Sequence, residues 1–344
     1  MRPYLDYTLV APGDLRLEQK SLTVDALGED ALLCETVASA ISPGTELAAF
    51  QGLPPLRPVP SPYPRRLGYM NVARVVATGS GSPLPAGSLV YTHAAHCSHF
   101  VVPRAKVLAV VPATLSPVRA SVAYLYRLGW NGLRRAAFKP GCRVAVIGLG
   151  AIGLATVQLS SHMGGRTTAI SGQAEARARA ERAGAATLDK SEASERFLPS
   201  LSAMADHMDV VIVTTGSWED WELALSMTAF NGSIAVLGFP GRGLPPPATN
   251  PLASRYFYDR QITIAAAVFA PWPPGSGNEP PEVLAGDIQA ILAAIEKNEL
   301  DPAALIEETV RADRLADAYH RMTSARPGPG TIVLDWQQVK PTPA

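Results

Sequence analysis

The chain has 344 residues, enough at about 150 per domain for two domains with sizeable cores, which excludes a peptide hormone or a small disulfide scaffold. Thirty basic and thirty acidic side chains cancel, so no global field draws the protein to nucleic acid or to an anionic membrane. Three cysteines, spread along the chain, argue against a disulfide framework and for a reducing compartment.

The N-terminal segment MRPYLDYTLVAPGD has no apolar core of the kind a secretion signal needs. No stretch reaches the roughly 18 consecutive apolar residues of a membrane span, so the expectation is a cytoplasmic protein. From Tyr7 to about Pro112 the apolar runs are short, β-branched and punctuated by Gly and Pro. ALLCETVASAIS, NVARVVATG, GSLVYTH and HFVVP read as strands of an antiparallel, barrel-like unit. Six prolines in the fourteen residues from Leu53 to Arg66 exclude helix and central strand there and predict an ordered loop.

Near Ser116 the rhythm changes to helical segments alternating with buried strand runs, beginning with PVRASVAYLYRLGWNGLRRAA. The strands are RVAVIG from Arg143, TTAIS from Thr167, DVVIVTT from Asp209, SIAVLGF from Ser233 and ITIAAAVF from Ile262. Helical stretches such as AIGLATVQLSSHM, AEARARAERAG and WEDWELALSMTAF lie between them. This alternation predicts a parallel, doubly wound sheet, and therefore an α/β fold class. The tail adds two helices, DIQAILAAIEKN and ADRLADAYHRMT, and a strand, GTIVLDW, expected to rejoin the barrel. The expected domains are a catalytic barrel at 1–118 and 300–344 and a Rossmann domain at 119–299.

The strongest chemical signal is VAVIGLGAIG, where Gly148, Gly150 and Gly153 form G-x-G-x-x-G after a strand and before a helix. The first glycine permits the turn, the second lets backbone approach a pyrophosphate, and the third lets helix and strand pack closely. Ala151 and Ile152 open the helix, whose free N–H groups and dipole favour phosphate. Alone the glycine pattern is weak; inside a β-α-β unit it predicts dinucleotide binding. A carboxylate about twenty residues further on would hold the ribose hydroxyls of NAD, but Ser171, Gly172 and Gln173 stand there instead. Small polar residues leave room for a 2′-phosphate, with Arg177 or Arg179 as its partner, so NADP(H) is expected over NAD(H). Thr214, Thr215 and Gly216 close one strand, and Gly238 and Phe239 another, where strand ends meet the cofactor.

In this order of parts the chain resembles the medium-chain dehydrogenase/reductase superfamily, over nearly its whole length. The resemblance is carried by ISPGTELAAFQG at Ile41, LGYMNVARVVATG at Leu67, the strands around HFVVP, VAVIGLGAIG at Val144 and the tail ending TIVLDW. It implies a GroES-like barrel into which the nucleotide domain is inserted, hydride transfer to or from nicotinamide, and a homodimer through the strand near ITIAAAVF. SPGTEL with GYMNVARVV looks most like the branch that includes bacteriochlorophyllide dehydrogenases and biosynthetic alcohol dehydrogenase homologues.

Zinc-dependent members of that family place metal ligands where this chain has Pro43, Tyr69 with Met70, and approximately Ala123 or Tyr124. None of these serves as a zinc ligand, and the four-cysteine lobe is missing, so no metal is expected. THAAHCSHF gathers His93, His96, Cys97 and His99, but on an extended strand His93 and His99 would stand roughly 20 Å apart. The cluster reads as a hydrogen-bonded loop, or as a source of one acid–base histidine, His93 or His96.

Without a metal, the charge left on the acceptor after hydride transfer must be met by hydrogen-bond donors or a proton source. Thr45 matches the family's hydroxyl residue that contacts substrate oxygen and cofactor ribose. Tyr69 stands where the ligand histidine would be and can donate its phenol proton, and Phe50, Asn71, Tyr124 and Trp130 are candidates for the substrate pocket. The expected function is a zinc-independent NADP(H) oxidoreductase acting on a C=O bond, a conjugated C=C bond or a C=N bond of a small or biosynthetic substrate. The alternative is a non-catalytic or redox-neutral dinucleotide-binding protein of the same fold. The loops Leu53–Arg66 and Pro271–Pro281 are candidates to cap the substrate cleft.

Overall fold

The computed structural model describes residues 1–24, 27–54, 61–198, 207–240, 244–247, 250–267, 281–323 and 328–342. Most of the second expected capping loop and part of the first lie outside the described residues. The early strands are β1 (Arg2–Ala11), β2 (Asp14–Leu22), β3 (Ala31–Ala40), β4 (Asn71–Thr78), β5 (Leu89–Thr92), β6 (His99–Pro103) and β7 (Val107–Val111). They are followed by β8 (Arg143–Ile147), β9 (Arg166–Ile170), β10 (Ala186–Leu188), β11 (Met208–Val213), β12 (Thr228–Val236), β13 (Thr263–Ala266), β14 (Ile306–Arg311) and β15 (Thr331–Asp335). The helices are α1 (Ala48–Phe50), α2 (Pro117–Ser121), α3 (Ala123–Arg135), α4 (Ala151–His162), α5 (Ala174–Arg182), α6 (Lys190–Phe197), α7 (Trp218–Met227), α8 (Pro281–Glu296) and α9 (Leu315–Met322).

The chain divides into two units, Met1–Tyr124 with Glu279–Ala344, and Leu125–Asn278. In the first unit a seven-stranded sheet runs β14-β15-β3-β4-β5-β7, with β6 also paired to β3. β3 has antiparallel partners in β4, β6 and β15, which is why its sequence ALLCETVASA is buried almost throughout. β1 and β2 form a separate antiparallel hairpin, which contributes Tyr7 and Leu9 to the barrel core. As expected, TIVLDW returns to this unit: β15 pairs Val333 with Ala40 and brings Leu334 and Trp336 onto Tyr7, Leu9 and Ile41. The helix α8 belongs to this unit as well, whereas the sequence reading drew that boundary at 300.

The second unit is a six-stranded sheet in the order β10-β9-β8-β11-β12-β13, parallel in every pair. The central strands β8 and β11 are flanked on both sides, and RVAVI and MDVVIV are correspondingly buried runs. α6 begins with a capping box in which Asp189 accepts from the Ser191 N–H while Glu192 reaches back to the Asp189 N–H.

Three expectations need correction. The stretch WEDWELALSMTAF is not all helix: α7 stops at Met227, where Thr228 hydroxyl donates back to the Ala224 carbonyl and the chain turns into β12. PVRASVAYLYRLGWNGLRRAA is interrupted at Val122, between α2 and α3. ADRLADAYHRMT opens with a single tight turn at Ala312–Arg314 before α9. Residues 93–98, between β5 and β6, form a loop, one of the two readings of THAAHCSHF, and it holds His93 exposed and His96 buried.

Leu334 is fully buried between β14 and β3. Leu334→Ala is expected to cost about 2–5 kcal/mol, read as a lower urea midpoint for the barrel unit's unfolding transition.

Candidate functional site

Gly148 follows β8 with φ +89°, a left-handed conformation that a side chain resists. A Cβ there would stand 2.3 Å from Thr215 Cγ2 and 2.7 Å from Thr214 Oγ1. At Gly153 a Cβ would stand 1.9 Å from the Gly148 carbonyl oxygen, so the strand-to-helix turn closes only with glycine at both places. Gly150 is the N-cap of α4 and provides no side-chain cap, so Ala151, Ile152 and Gly153 present backbone N–H groups at a helix start. The turn is braced from β11: Thr214 Oγ1 donates to the Gly148 carbonyl at 2.8 Å, and Thr215 Oγ1 donates to the buried Asp220 at 2.7 Å. Gly238 lies so close to the same segment that its Cβ would be 2.2 Å from the Thr215 carbonyl oxygen. Gly216 faces the Phe239 backbone, and the Phe239 ring is exposed.

The turn after β9 carries no carboxylate. Ser171 Oγ accepts from the Gln173 N–H at 3.1 Å, and Gly172 has open space where a Cβ would be. Arg177 Nη1 donates to the Ser171 carbonyl at 2.6 Å and to Asp189 Oδ2 at 2.7 Å, which holds the guanidinium beside this turn. Arg179 pairs with Glu175 at 2.6 Å along its own helix. The residues present fit a dinucleotide: a cradle that side chains would fill, uncapped helix N–H groups and an arginine against a small polar turn.

In the barrel unit Tyr69 is the centre of a polar and aromatic cluster. Its phenol is hydrogen-bonded to the Ser42 hydroxyl, and its ring meets Tyr124 edge-on at 5.5 Å and His93 at 6.2 Å. His93 Nδ1 lies 2.7 Å from the Tyr69 carbonyl oxygen, and the His93 ring packs on Tyr124 at 4.8 Å. Thr45, exposed on the turn Pro43–Leu47, is a further hydrogen-bond partner of the phenol. Burial first, and then the negative charge of Glu46, push the phenol up to about 12 against the pull of the Ser42 and Thr45 hydroxyls. Tyr69 is therefore a protonated donor throughout the neutral range.

Sequence reasoning named Thr45, Tyr69, His93 and Tyr124, and the fold brings these together. His96 is placed differently: fully buried, with Nε2 2.8 Å from Glu46 Oε2 and Nδ1 2.9 Å from Ser39 Oγ. Phe50 is a core residue packed on Tyr319 and His320, and Asn71 is buried with Nδ2 donating to Thr36 at 3.0 Å. Trp130 lies on α3 in the second unit, half-buried. The residues missed were Ser42 and Glu46, hidden in the same SPGTEL segment that made Thr45 conspicuous, and Tyr319, whose partner lies 273 positions away.

Residues 151–275 match the family model described as zinc-binding dehydrogenase. The fold is similar to a putative zinc-binding dehydrogenase from Sinorhizobium meliloti 1021 bound to NADP, at TM-score 0.78 and 20% identity over 98% of this chain and 100% of that one. It is similar to a putative NADPH:quinone reductase from Bacillus thuringiensis, at TM-score 0.79 and 17% identity over 98% and 100% of the two chains. A third is 2R,3R-butanediol dehydrogenase from Bacillus subtilis, at TM-score 0.77 and 16% identity over 97% and 100%. These likenesses bear out the α/β class, with a GroES-like barrel and a Rossmann sheet.

The family description names zinc, and a catalytic zinc needs three protein ligands. Among the described residues no three His, Cys, Asp or Glu side chains come together as a metal's ligands would. Both His96 nitrogens are occupied, and Cys97 is a buried thiol pushed up to about 12 by desolvation. The residues around Tyr69 do not fit a zinc ion.

Gly153→Ala places a methyl group against the Gly148 carbonyl and is expected to weaken NADPH binding by about tenfold or more, measured by nicotinamide fluorescence. Loss of the barrel unit's own unfolding transition in the same variant would show a global effect instead.

Proposed function

We propose that the chain is a zinc-independent, NADP(H)-dependent oxidoreductase in which Tyr69 supplies the proton that accompanies hydride transfer. The observation that carries this reading is the Tyr69 phenol, half-buried, held by two hydroxyls and kept protonated, at the position where the resemblance implies a zinc-ligating histidine. The zinc-free assignment is supported by the side chains themselves: Pro43, Tyr69, Met70, Ala123 and Tyr124 offer neither imidazole nor thiolate. The choice of NADP(H) is supported by the absence of an acidic residue after β9, by Arg177 at that turn, and by the NADP bound in the Sinorhizobium relative.

Bound reduced nicotinamide supplies the hydride. The chain's residues do the rest: the N–H groups at the start of α4 bind pyrophosphate, and Arg177 offers charge-assisted hydrogen bonds to the 2′-phosphate. Tyr69 Oη gives its proton to the acceptor oxygen as negative charge develops there. Ser42 and Thr45 hydroxyls then hydrogen-bond the phenolate that remains, and His93 and Tyr124 fix the ring by edge contacts. A phenol is a weaker polariser than a metal ion, which favours carbonyl-conjugated C=C bonds and activated carbonyls, and protonated imines for the same reason. The Bacillus thuringiensis quinone reductase supports the first of these. The likeness of SPGTEL and GYMNVARVV to biosynthetic alcohol dehydrogenase homologues supports alcohol–carbonyl interconversion of a biosynthetic substrate.

The same reading takes the protein as a cytoplasmic homodimer. Cys34, Cys97 and Cys142 are unpaired thiols, and β13 stands at the edge of the six-stranded sheet.

NADPH oxidation is to be followed with 9,10-phenanthrenequinone, cyclohex-2-enone and benzaldehyde as acceptors. Tyr69→Phe is expected to lower kcat with the best acceptor by about 100-fold or more, with the NADPH dissociation constant unchanged. Native turnover in that variant would reduce Tyr69 to a packing residue. Since Tyr69 must be protonated to donate, its contribution to reduction is expected to hold through neutral pH and to fall only as the phenol ionises in strong alkali.

A further inference from the structure

Behind Tyr69 lies a set of buried polar groups that the proton transfer itself does not use. Ser42 is the N-cap of the turn Pro43–Leu47, yet its hydroxyl makes no cap bond and goes to Tyr69. Glu46 instead anchors the backbone of Ser42, its Oε1 accepting from the Ser42 N–H at 2.7 Å. The other carboxylate oxygen, Oε2, lies 2.8 Å from His96 Nε2 and accepts from the Tyr319 hydroxyl on α9. All four groups are buried, Glu46 at 1% exposure and His96 at 0%.

Ser39 Oγ accepts the indole N–H of Trp336 at 2.9 Å and shares a hydrogen bond of 2.9 Å with His96 Nδ1. The other ring nitrogen of His96, Nε2, faces Glu46 and donates to it when it carries a proton. With Ser42 N–H and Tyr319 O–H, the carboxylate receives three donors, the complement an anion requires when it is taken out of water.

We propose that Glu46 is a positioning residue for Tyr69, holding the Ser42 hydroxyl against the phenol, with His96 and Tyr319 acting as the clasp that fixes the carboxylate. The role rests on the reading of Tyr69 as proton donor. Two consequences follow from the geometry. Removing the carboxylate takes away the acceptor of the Ser42 N–H, so the residue that carries the hydroxyl loses its backbone anchor. Removing the charge takes away one of the influences that keep the phenol protonated; Ser42, Thr45, His93 and Tyr124 are the other polar and titratable groups facing it.

The test uses the full chain with tyrosine carrying 13C at Cζ, the Tyr69 resonance being assigned by its loss in Tyr69→Phe. In the native protein that resonance is expected to stay at the phenol position up to about pH 11. In Glu46→Gln its titration is expected to move down by about one pH unit, and turnover with the best acceptor to fall about tenfold with NADPH affinity unchanged. A native titration of Tyr69 in folded Glu46→Gln would overturn the proposal.

If Glu46→Gln does not fold, Glu46→Asp carries the test. The charge is kept, but the carboxylate is drawn back by one methylene from Ser42, His96 and Tyr319. The Tyr69 resonance at neutral pH is expected to leave its native position while remaining a phenol; an unmoved resonance would overturn the proposal. Failure of the functional reading looks different: Tyr69→Phe would then turn over at the native rate, whatever the resonance does in the Glu46 variants.

Discussion

A carboxylate removed from water is stable only where donors replace its hydration, and in the barrel unit that requirement falls on Glu46. Its partners come from three separate places in the chain: the turn it belongs to, the loop between β5 and β6, and the C-terminal helix α9. The polar chain continues through His96 and Ser39 to Trp336, just beyond β15. The last thirty residues are therefore tied to the first fifty both by apolar packing around Tyr7, Ile41 and Leu334 and by one shared anion. Losing any single donor would leave charge uncompensated inside the unit, which is more costly than the net worth of the bond.

The nucleotide unit is governed by a different constraint, the distance of closest approach between backbones. Gly148, Gly153 and Gly238 stand where a Cβ would fall within 1.9–2.3 Å of neighbouring atoms, so β8, α4 and the ends of β11 and β12 close on one another only with hydrogen in those places. Thr214 and Thr215 fill the space the glycines leave and tie the turn to Asp220 on α7. Lys190 Nζ stands 2.8 Å from the same Asp220, while its neighbour Asp189 holds Arg177. The start of α6 thus braces both the turn after β9 and the loop after β11.

Much of this was legible in the residues because burial on both faces writes itself as unbroken apolar runs, and RVAVI and MDVVIV announced the parallel sheet directly. Elements with one wet face were harder to read. β14, IEETVR, is charged at three of its six positions and stands at the edge of its sheet among the described residues, and the hairpin strand β2 alternates through Arg, Glu and Lys. In the site, Thr45 and Tyr69 stood out through a resemblance, and Tyr124 and His93 through their residue types. Glu46, His96 and Tyr319 form a contact that no local pattern encodes, since its members meet only after the barrel has closed around them. His96 was singled out as an acid–base candidate for its imidazole, and its surroundings make it part of the support for Tyr69.

The family description and the side chains point in different directions on one matter. The match to the family model described as zinc-binding dehydrogenase, residues 151–275, lies within the nucleotide unit, whereas the resemblance implies a catalytic zinc held by barrel residues that here are proline, tyrosine and methionine. The most direct test is titration of the purified, chelator-treated protein with NADPH and with NADH, with metal content measured on the same sample. The account predicts tight NADPH binding, weaker NADH binding and NADPH oxidation by a protein free of zinc. Preferential NADH binding, or stoichiometric zinc that survives chelation and is needed for turnover, would contradict it.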